Sequence, residues 1–254
     1  MPQFFINTIS EDGTCTIEGD DYYHLVKVRR VKKGDFVSLR DSEGSLYKGH
    51  ITDITETKIL VDIVRIRDNN KNNIDVTLCI SILKGKKFDL VLQKAVEVGV
   101  RRIVPVVSER TIPVIGDSEE KKIDRWQKIA SEASKQSMRE FPPVVEAPVS
   151  FHETVSLFRD SHRIIAHTDV NCMDLKVCLR NAEKEKSIAV LVGPEGGFSD
   201  KEVREAVNEG WHACNFGFTA MRSETAAIVL PALIIYEWSG IDENNGKQQR
   251  DGFL

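Results

Sequence analysis

Glu195 and Arg222 are the charged residues around which this chain could do chemistry, and each sits in a loop of unusual composition. Glu195 lies in the GPEGG stretch at 193–197. The apolar, partly β-branched run at 188–192 before it has the length of a buried strand, and Gly193, Pro194, Gly196 and Gly197 stop that strand from continuing. Ser199 with Glu202 three residues on has the form of a capping box, and Asp200 and Glu202 put negative charge in the first turn, so a helix starts there. A strand, glycine loop and helix in this order make the kind of junction at which α/β proteins bind ligands. The loop has neither the GK[ST] ending of a phosphate loop nor GxGxxG, and Glu195 in its middle would repel a phosphate. A neutral or cationic nucleoside suits it better; the alternative is a tight turn that binds nothing.

Arg222 belongs to a second such junction, NFGFTAMRSETAAIVLPALIIYEW. Gly217 follows a strand, Arg222, Ser223, Glu224 and Thr225 sit where a helix begins, and residues 226–236 are almost wholly apolar. In a parallel sheet this loop opens on the same edge as the first, so the two can form opposite walls of one pocket. A helix that is apolar all round is buried on every side, within the core or against a second subunit; the reading adopted is a homodimer interface, with a kink at Pro231.

The elements that must position these loops are strands and helices in alternation from residue 74 onward. IDVTLCISI, RRIVPVVS, RIIAHT and HACNF read as strands. FDLVLQKAVEV (stopped by Gly99), EEKKIDRWQKIASEASKQSM, a short segment near FHETVSLF, and MDLKVCLRNAEKE read as helices. Such alternation implies an α/β domain with a mainly parallel sheet covered on both faces. Gln93, Lys94 and Glu97, preceded by Lys84, Lys86 and Lys87, recur at helical spacing and read as a solvated face; Glu132, Gln136 and Arg139 share another face, which either lines a cleft or is ordinary surface, and the surface is the reading adopted.

Residues 1–70 differ. FFINTI, TCTIE, DFVSLRD, SLYKGHITDI and KILVDIVRI are short strands broken by turn residues, the pattern of a small β-barrel. Between the second and third lies a helix starting at Asp20 or Asp21 and a dense set of cations, Lys27, Arg29, Arg30, Lys32 and Lys33. These could contact a phosphate backbone, with Tyr22, Tyr23 and His24 stacking on unpaired bases, or form a solvated face beside Asp20, Asp21 and Asp35. The polar run at 68–73 reads as a linker. The expected division is residues 1–70, 74–240 and a loose tail at 241–254.

The net charge of −4 gives no general attraction to nucleic acid, so an RNA partner must be met by the local patch. The start, MPQFFINTIS, lacks the features of a signal peptide and no apolar run is long enough to span a bilayer, so a cytoplasmic protein with no membrane partner is expected. Cys15, Cys79, Cys172, Cys178 and Cys214 show no metal spacing and read as reduced structural thiols; no metal is expected.

LVGPEGGFSDKEV followed by FGFTAMRSETA resembles the paired signature of the 16S ribosomal RNA uridine-N3 methyltransferases of the RsmE type, in the SPOUT superfamily. MPQFF, HLVKVRRVKKGD, KGKKFDLVLQKAVEVGVRRIVPVVSER and EASKQSMRE extend the resemblance almost end to end. It implies a PUA-like barrel joined to an α/β domain with a trefoil knot, working as a homodimer on ribosomal RNA of the small subunit with S-adenosylmethionine. The implied cofactor residues are Val192, Gly193, Glu195, Gly196, Gly197, Phe216, Gly217, Met221, Arg222 and Thr225. Thr219, Ala220, Met221 and Phe216 depart from the family's usual residues, so the substrate-side wall differs. The implied chemistry assigns Arg222 to stabilising the uridine anion and Glu224 or Glu195 to orienting groups or taking the N3 proton. Rival functions are a related methyltransferase acting elsewhere, for example on a transfer RNA ribose, and a non-catalytic RNA-binding protein.

Overall fold

A computed structural model describes residues 3–6, 8–10, 12–66, 74–112, 119–169, 172–182, 187–217 and 220–239. The linker expected at 68–73, Thr219 and the tail expected at 241–254 lie outside the described residues. The chain divides into two compact units, Met1–Lys71 with Ala130–Pro142, and Asn72–Ile129 with Pro143–Leu254. The first unit therefore takes in residues 130–142, which the sequence reading placed in the second part.

In the first unit, strands β1 (Gln3–Phe5), β2 (Thr14–Glu18), β3 (Phe36–Arg40), β4 (Leu46–Ile54) and β5 (Lys58–Ile66) form one sheet in the order β1-β3-β4-β5-β2. Only β1 and β3 run parallel; the other pairs are antiparallel. Period-two patterning explains the faces, since Ile59 and Val61 of β5 are fully buried while Lys58 and Asp62 face out. The inward residues join Phe4, Cys15, Ile17, Leu25, Val37, Leu39 and Ile51 in a single core. β4 crosses that core at Gly49, where an added Cβ would lie 2.5 Å from a Val61 methyl. Glycine is required there by packing. Helix α1 (Gly19–Tyr23) passes without a break into a π-type turn over His24–Val28. Residues 130–142 belong here because of polar contacts that sequence periodicity does not reveal. Gln3 donates to the Arg139 carbonyl at 2.7 Å, accepts from Arg40 at 3.0 Å, and Lys135 meets Asp21 at 2.5 Å.

The second unit contains β6 (Asp75–Ser81), α2 (Lys86–Val98), β7 (Arg102–Val107), the first part of α3 (Glu119–Gln136), β8 (Val144–Val145), β9 (Val149–Ser150), α4 (Phe151–Ser156) and β10 (His162–Ala166). β11 (Met173–Asp174), α5 (Leu175–Asn181), β12 (Ser187–Val192), α6 (Asp200–Asn208), β13 (His212–Asn215) and α7 (Ser223–Trp238) follow. The sheet order is β11-β13-β10-β12-β6-β7-β8, with β9 also on β7, and every pairing is parallel. β6 and β12 lie side by side and are buried over nearly their whole length, which is why both read as unbroken apolar runs.

Three local differences have physical causes. The helix expected from Met173 starts at Leu175, because Asp174 caps it by accepting from the Lys176 amide at 2.9 Å and Met173 pairs with β13. α3 ends at Gln136, and Met138 just beyond it has a φ of 55°. α7 stays helical through Pro231 and buries Ala226, Ala227, Leu230, Ile234 and Trp238, yet Leu233 is 40% and Tyr236 80% exposed. Burial on every side is therefore not met within this chain. All five cysteines are free, and every one except Cys172 is buried. Burial pushes the Cys15 thiol up to about 11, which keeps it inert, whereas a hydrogen bond with Cys214 and the nearby His162 hold Cys178 low.

Candidate active site

The glycine loop after β12 and the loop after β13 enclose one cavity of about 880 Å³ at the carboxyl edge of the second unit's sheet. Val192, Gly193, Glu195, Gly196 and Gly197 form one wall, and Phe216, Gly217 and Met221 form the opposite one. Ala166, the last residue of β10, and His167 and Thr168 after it close the remaining side. Strand order explains the meeting, since β10 pairs with both β12 and β13 and carries their loops to the same end.

Two of the glycines are dictated by this geometry. Gly197 has a φ of 67°, where a branched side chain is strained although a Cβ would meet nothing within 4 Å. Gly193 has the opposite problem, because a Cβ there would approach the Phe198 amide nitrogen to 3.2 Å. The loop is also held from below. Ser199 and Glu202 form the expected capping box on α6, with the Ser199 amide donating to Glu202 Oε2 at 2.8 Å. The other Glu202 oxygen accepts from the Glu109 amide at 2.8 Å, and Ser199 Oγ donates to the Glu109 carboxylate at 2.8 Å. Arg110 donates to the Gly196 carbonyl at 2.7 Å. A capping box, a neighbouring acid and an arginine thus fix the loop before any ligand arrives.

The charges around Glu195 differ from the simple expectation. Lys87, in the first turn of α2, meets Glu195 Oε1 at 3.0 Å and stands 4.0 Å from Glu224 Oε2. Burial by itself would raise the Glu195 pKa, but backbone hydrogen bonds and the Lys87 ammonium outweigh it and hold the carboxyl below its usual value. Glu195 is therefore an ionised, paired carboxylate, and its repulsion of an anion is partly cancelled. Glu224 is only 13% exposed, and its Oε2 has no hydrogen-bond partner among the described residues. Arg222 occupies the N-cap position of α7 with its side chain exposed. Arg222, Glu224 and Thr225 are not among the residues that line the cavity.

Lys87, Glu109 and Arg110 were given no role in the sequence reading. Their partners lie 86 or more positions away, so helical periodicity carried no signal of them. The five cations of the patch beside α1, Lys27, Arg29, Arg30, Lys32 and Lys33, are all exposed. Of the three aromatic residues beside them, Tyr22 donates its hydroxyl to the Thr55 carbonyl and His24 packs near Phe4, leaving Tyr23 62% exposed.

A parallel sheet with two loops closing a cavity at its carboxyl edge, in a chain with a second, mainly antiparallel β unit, defines a class that the family comparisons identify. A profile described as the RNA methyltransferase domain matches residues 70–235, and one described as the RNA methyltransferase PUA domain matches residues 17–64. The chain belongs to the ribosomal RNA small subunit methyltransferase E family. Among its relatives, the Borreliella burgdorferi "Ribosomal RNA small subunit methyltransferase E 2" is 32% identical over 82% of this chain and 84% of its own length. The Mesomycoplasma hyopneumoniae "Ribosomal RNA small subunit methyltransferase E" is 30% identical over 91% and 97%. The crystal structure of a Neisseria gonorrhoeae "Ribosomal RNA small subunit methyltransferase E" bound to S-adenosyl methionine superposes with a TM-score of 0.84 at 28% identity, covering 94% of this chain and 98% of that one.

Proposed function

We propose that this chain transfers a methyl group from S-adenosylmethionine to N3 of a uridine in 16S ribosomal RNA of the small subunit. The observation that carries the reading is the cavity closed by the two loops, in a chain whose relative from Neisseria gonorrhoeae has been solved with that cofactor. The residues fit the group. Gly193, Gly196 and Gly197 offer backbone that an adenosine can approach closely, Phe216 and Met221 supply apolar walls, and the Glu195 carboxylate suits a cationic ligand. When bound, the cofactor supplies an electrophilic methyl group on a sulfonium.

The chain's own residues have the remaining tasks. Uridine N3 must lose its imide proton before its lone pair can form the new N–C bond. Two acids are candidates to take that proton: Glu224, whose Oε2 is buried with no hydrogen-bond partner among the described residues, and Glu195, which lines the cavity and is paired with Lys87. Arg222, exposed at the start of α7, offers its guanidinium to the negative charge that develops on the base. Lys27, Arg29, Arg30, Lys32 and Lys33 hold RNA phosphates in the first unit. Closure of the five-stranded sheet into a barrel, the trefoil knot, a homodimer and a cytoplasmic setting complete the proposal. Family membership supports the first two and the exposed apolar side of α7 supports the dimer. Among the described residues no helix is long and apolar enough to cross a membrane.

The test is a methyl-transfer assay with purified small subunits, followed by mass-spectrometric mapping of the modified nucleotide. The expected product is N3-methyluridine in 16S RNA. A methylated ribose would move the chain to another reaction on the same cofactor, and RNA binding without methyl transfer would make it a non-catalytic RNA-binding protein.

A further inference from the structure

Phe36, His50 and Lys48 form a group on the outer surface of the first unit's sheet that the reading above leaves without a role. Phe36 starts β3 and is 45% exposed; its register partner across the strand pair is His50, and the two rings lie 5.3 Å apart at an interplanar angle of 45°. Lys48 Nζ stands 4.3 Å from the centre of the Phe36 ring. Across β4, Lys48 faces Val64, which is 68% exposed, and His50 faces Asp62. A single exposed phenylalanine is commonplace on protein surfaces. What sets this one apart is the cation over its ring and the loop that leads into it. Lys32 and Lys33 precede Phe36 closely in the chain, and the loop carrying them is pinned beside His50. The Gly34 amide donates to the Ile51 carbonyl and the Ile51 amide to the Asp35 carbonyl, each at 2.9 Å. The Asp35 carboxylate accepts from the Lys32 amide at 2.7 Å, which fixes the turn while its charge offsets part of that of the lysines.

We infer that Phe36, with His50 and Lys48, is a stacking platform for an unpaired base of single-stranded RNA, whose phosphates lie along Lys32, Lys33 and Lys48. Proteins that hold single strands combine an aromatic face, which any base can cover, with cations that follow the backbone. The charge of the surrounding lysines favours a polyanion over an apolar peptide. The inference rests on the reading that the first unit binds RNA, and it adds a contact surface on the strands to the patch beside α1.

The experiment uses the full chain and a fluorescein-labelled oligouridylate of about 12 nucleotides, with a duplex RNA of equal length as comparison, titrated by anisotropy over a range of salt. F36A is expected to weaken oligouridylate binding about tenfold while leaving the salt slope and the duplex affinity unchanged, because stacking is not ionic. K48A is expected to weaken binding and flatten the slope. F36W keeps an aromatic face, so it should restore affinity, and its indole emission should change on adding oligouridylate. Wild-type affinity in F36A, an equal loss with duplex RNA, or an F36W emission indifferent to saturating RNA would each overturn the platform. Methyl transfer is followed in parallel. A wild-type chain that methylates small subunits while F36A binds normally sinks this inference alone. A chain that binds oligouridylate through Phe36 but transfers no methyl group sinks the enzymatic reading and keeps this one.

Discussion

Lys87 is the residue whose role the three-dimensional structure changes most. It is 42% exposed, so its ion pair with Glu195 contributes little to stability, and its importance lies in what it does to the two acids beside it. K87M removes the cation that pairs with Glu195 and faces Glu224, so methyl transfer is expected to fall by about tenfold with the fold intact. The contact predicts coupling. In a double-mutant cycle, K87M is expected to cost much less in an E195Q background, with an interaction energy of about 0.5 kcal/mol or more. Additive effects on single-turnover rates would show that the pair is incidental.

The strand, glycine loop and α6 form one device, and its substitutions separate two kinds of constraint. Gly197→Val places a β-branched residue at a φ of 67° and is expected to cost about 1–3 kcal/mol of local order, seen as lost S-adenosylmethionine affinity by calorimetry. Gly193→Ala instead brings a methyl to 3.2 Å from the Phe198 amide, and a lowered melting temperature is expected to accompany its loss of affinity. Unchanged affinity in both would show that the loop's shape does not matter for the ligand. This device was legible in the sequence almost residue by residue, since a buried strand, a glycine run and a capping box are local patterns. The walls from Phe216, Gly217 and Met221 were legible too, through the family signature. The lysine, acid and arginine that brace the loop come from other elements, and composition says nothing about such meetings. The same holds for residues 130–142, whose membership of the first unit depends on Gln3, Asp21 and Lys135. Short strands such as β8 and β11 were missed because two residues carry no period.

For the molecule as a whole, the exposed side of α7 is the surface on which the proposed dimer depends. Tyr236 and Leu233 are exposed on the side of α7 away from buried Leu230, Ile234 and Trp238, beside a cavity of about 300 Å³ lined by Leu175, Leu179 and Phe216 together with Asp174, Lys176 and Glu237. Sedimentation at micromolar concentration is expected to give a dimer, and Tyr236→Glu to give a monomer by placing a charge on that face. A wild-type monomer would remove the homodimer from the proposal. The strand order has a further consequence for how the chain is made. β6 pairs with β12 from Asp75↔Ser187 to Val192↔Ile80, so during synthesis one edge of an apolar strand has no mate until more than a hundred further residues have left the ribosome. Through that interval the nascent chain displays an open, sticky β-edge, and a translation product cut short before β12 keeps it for good.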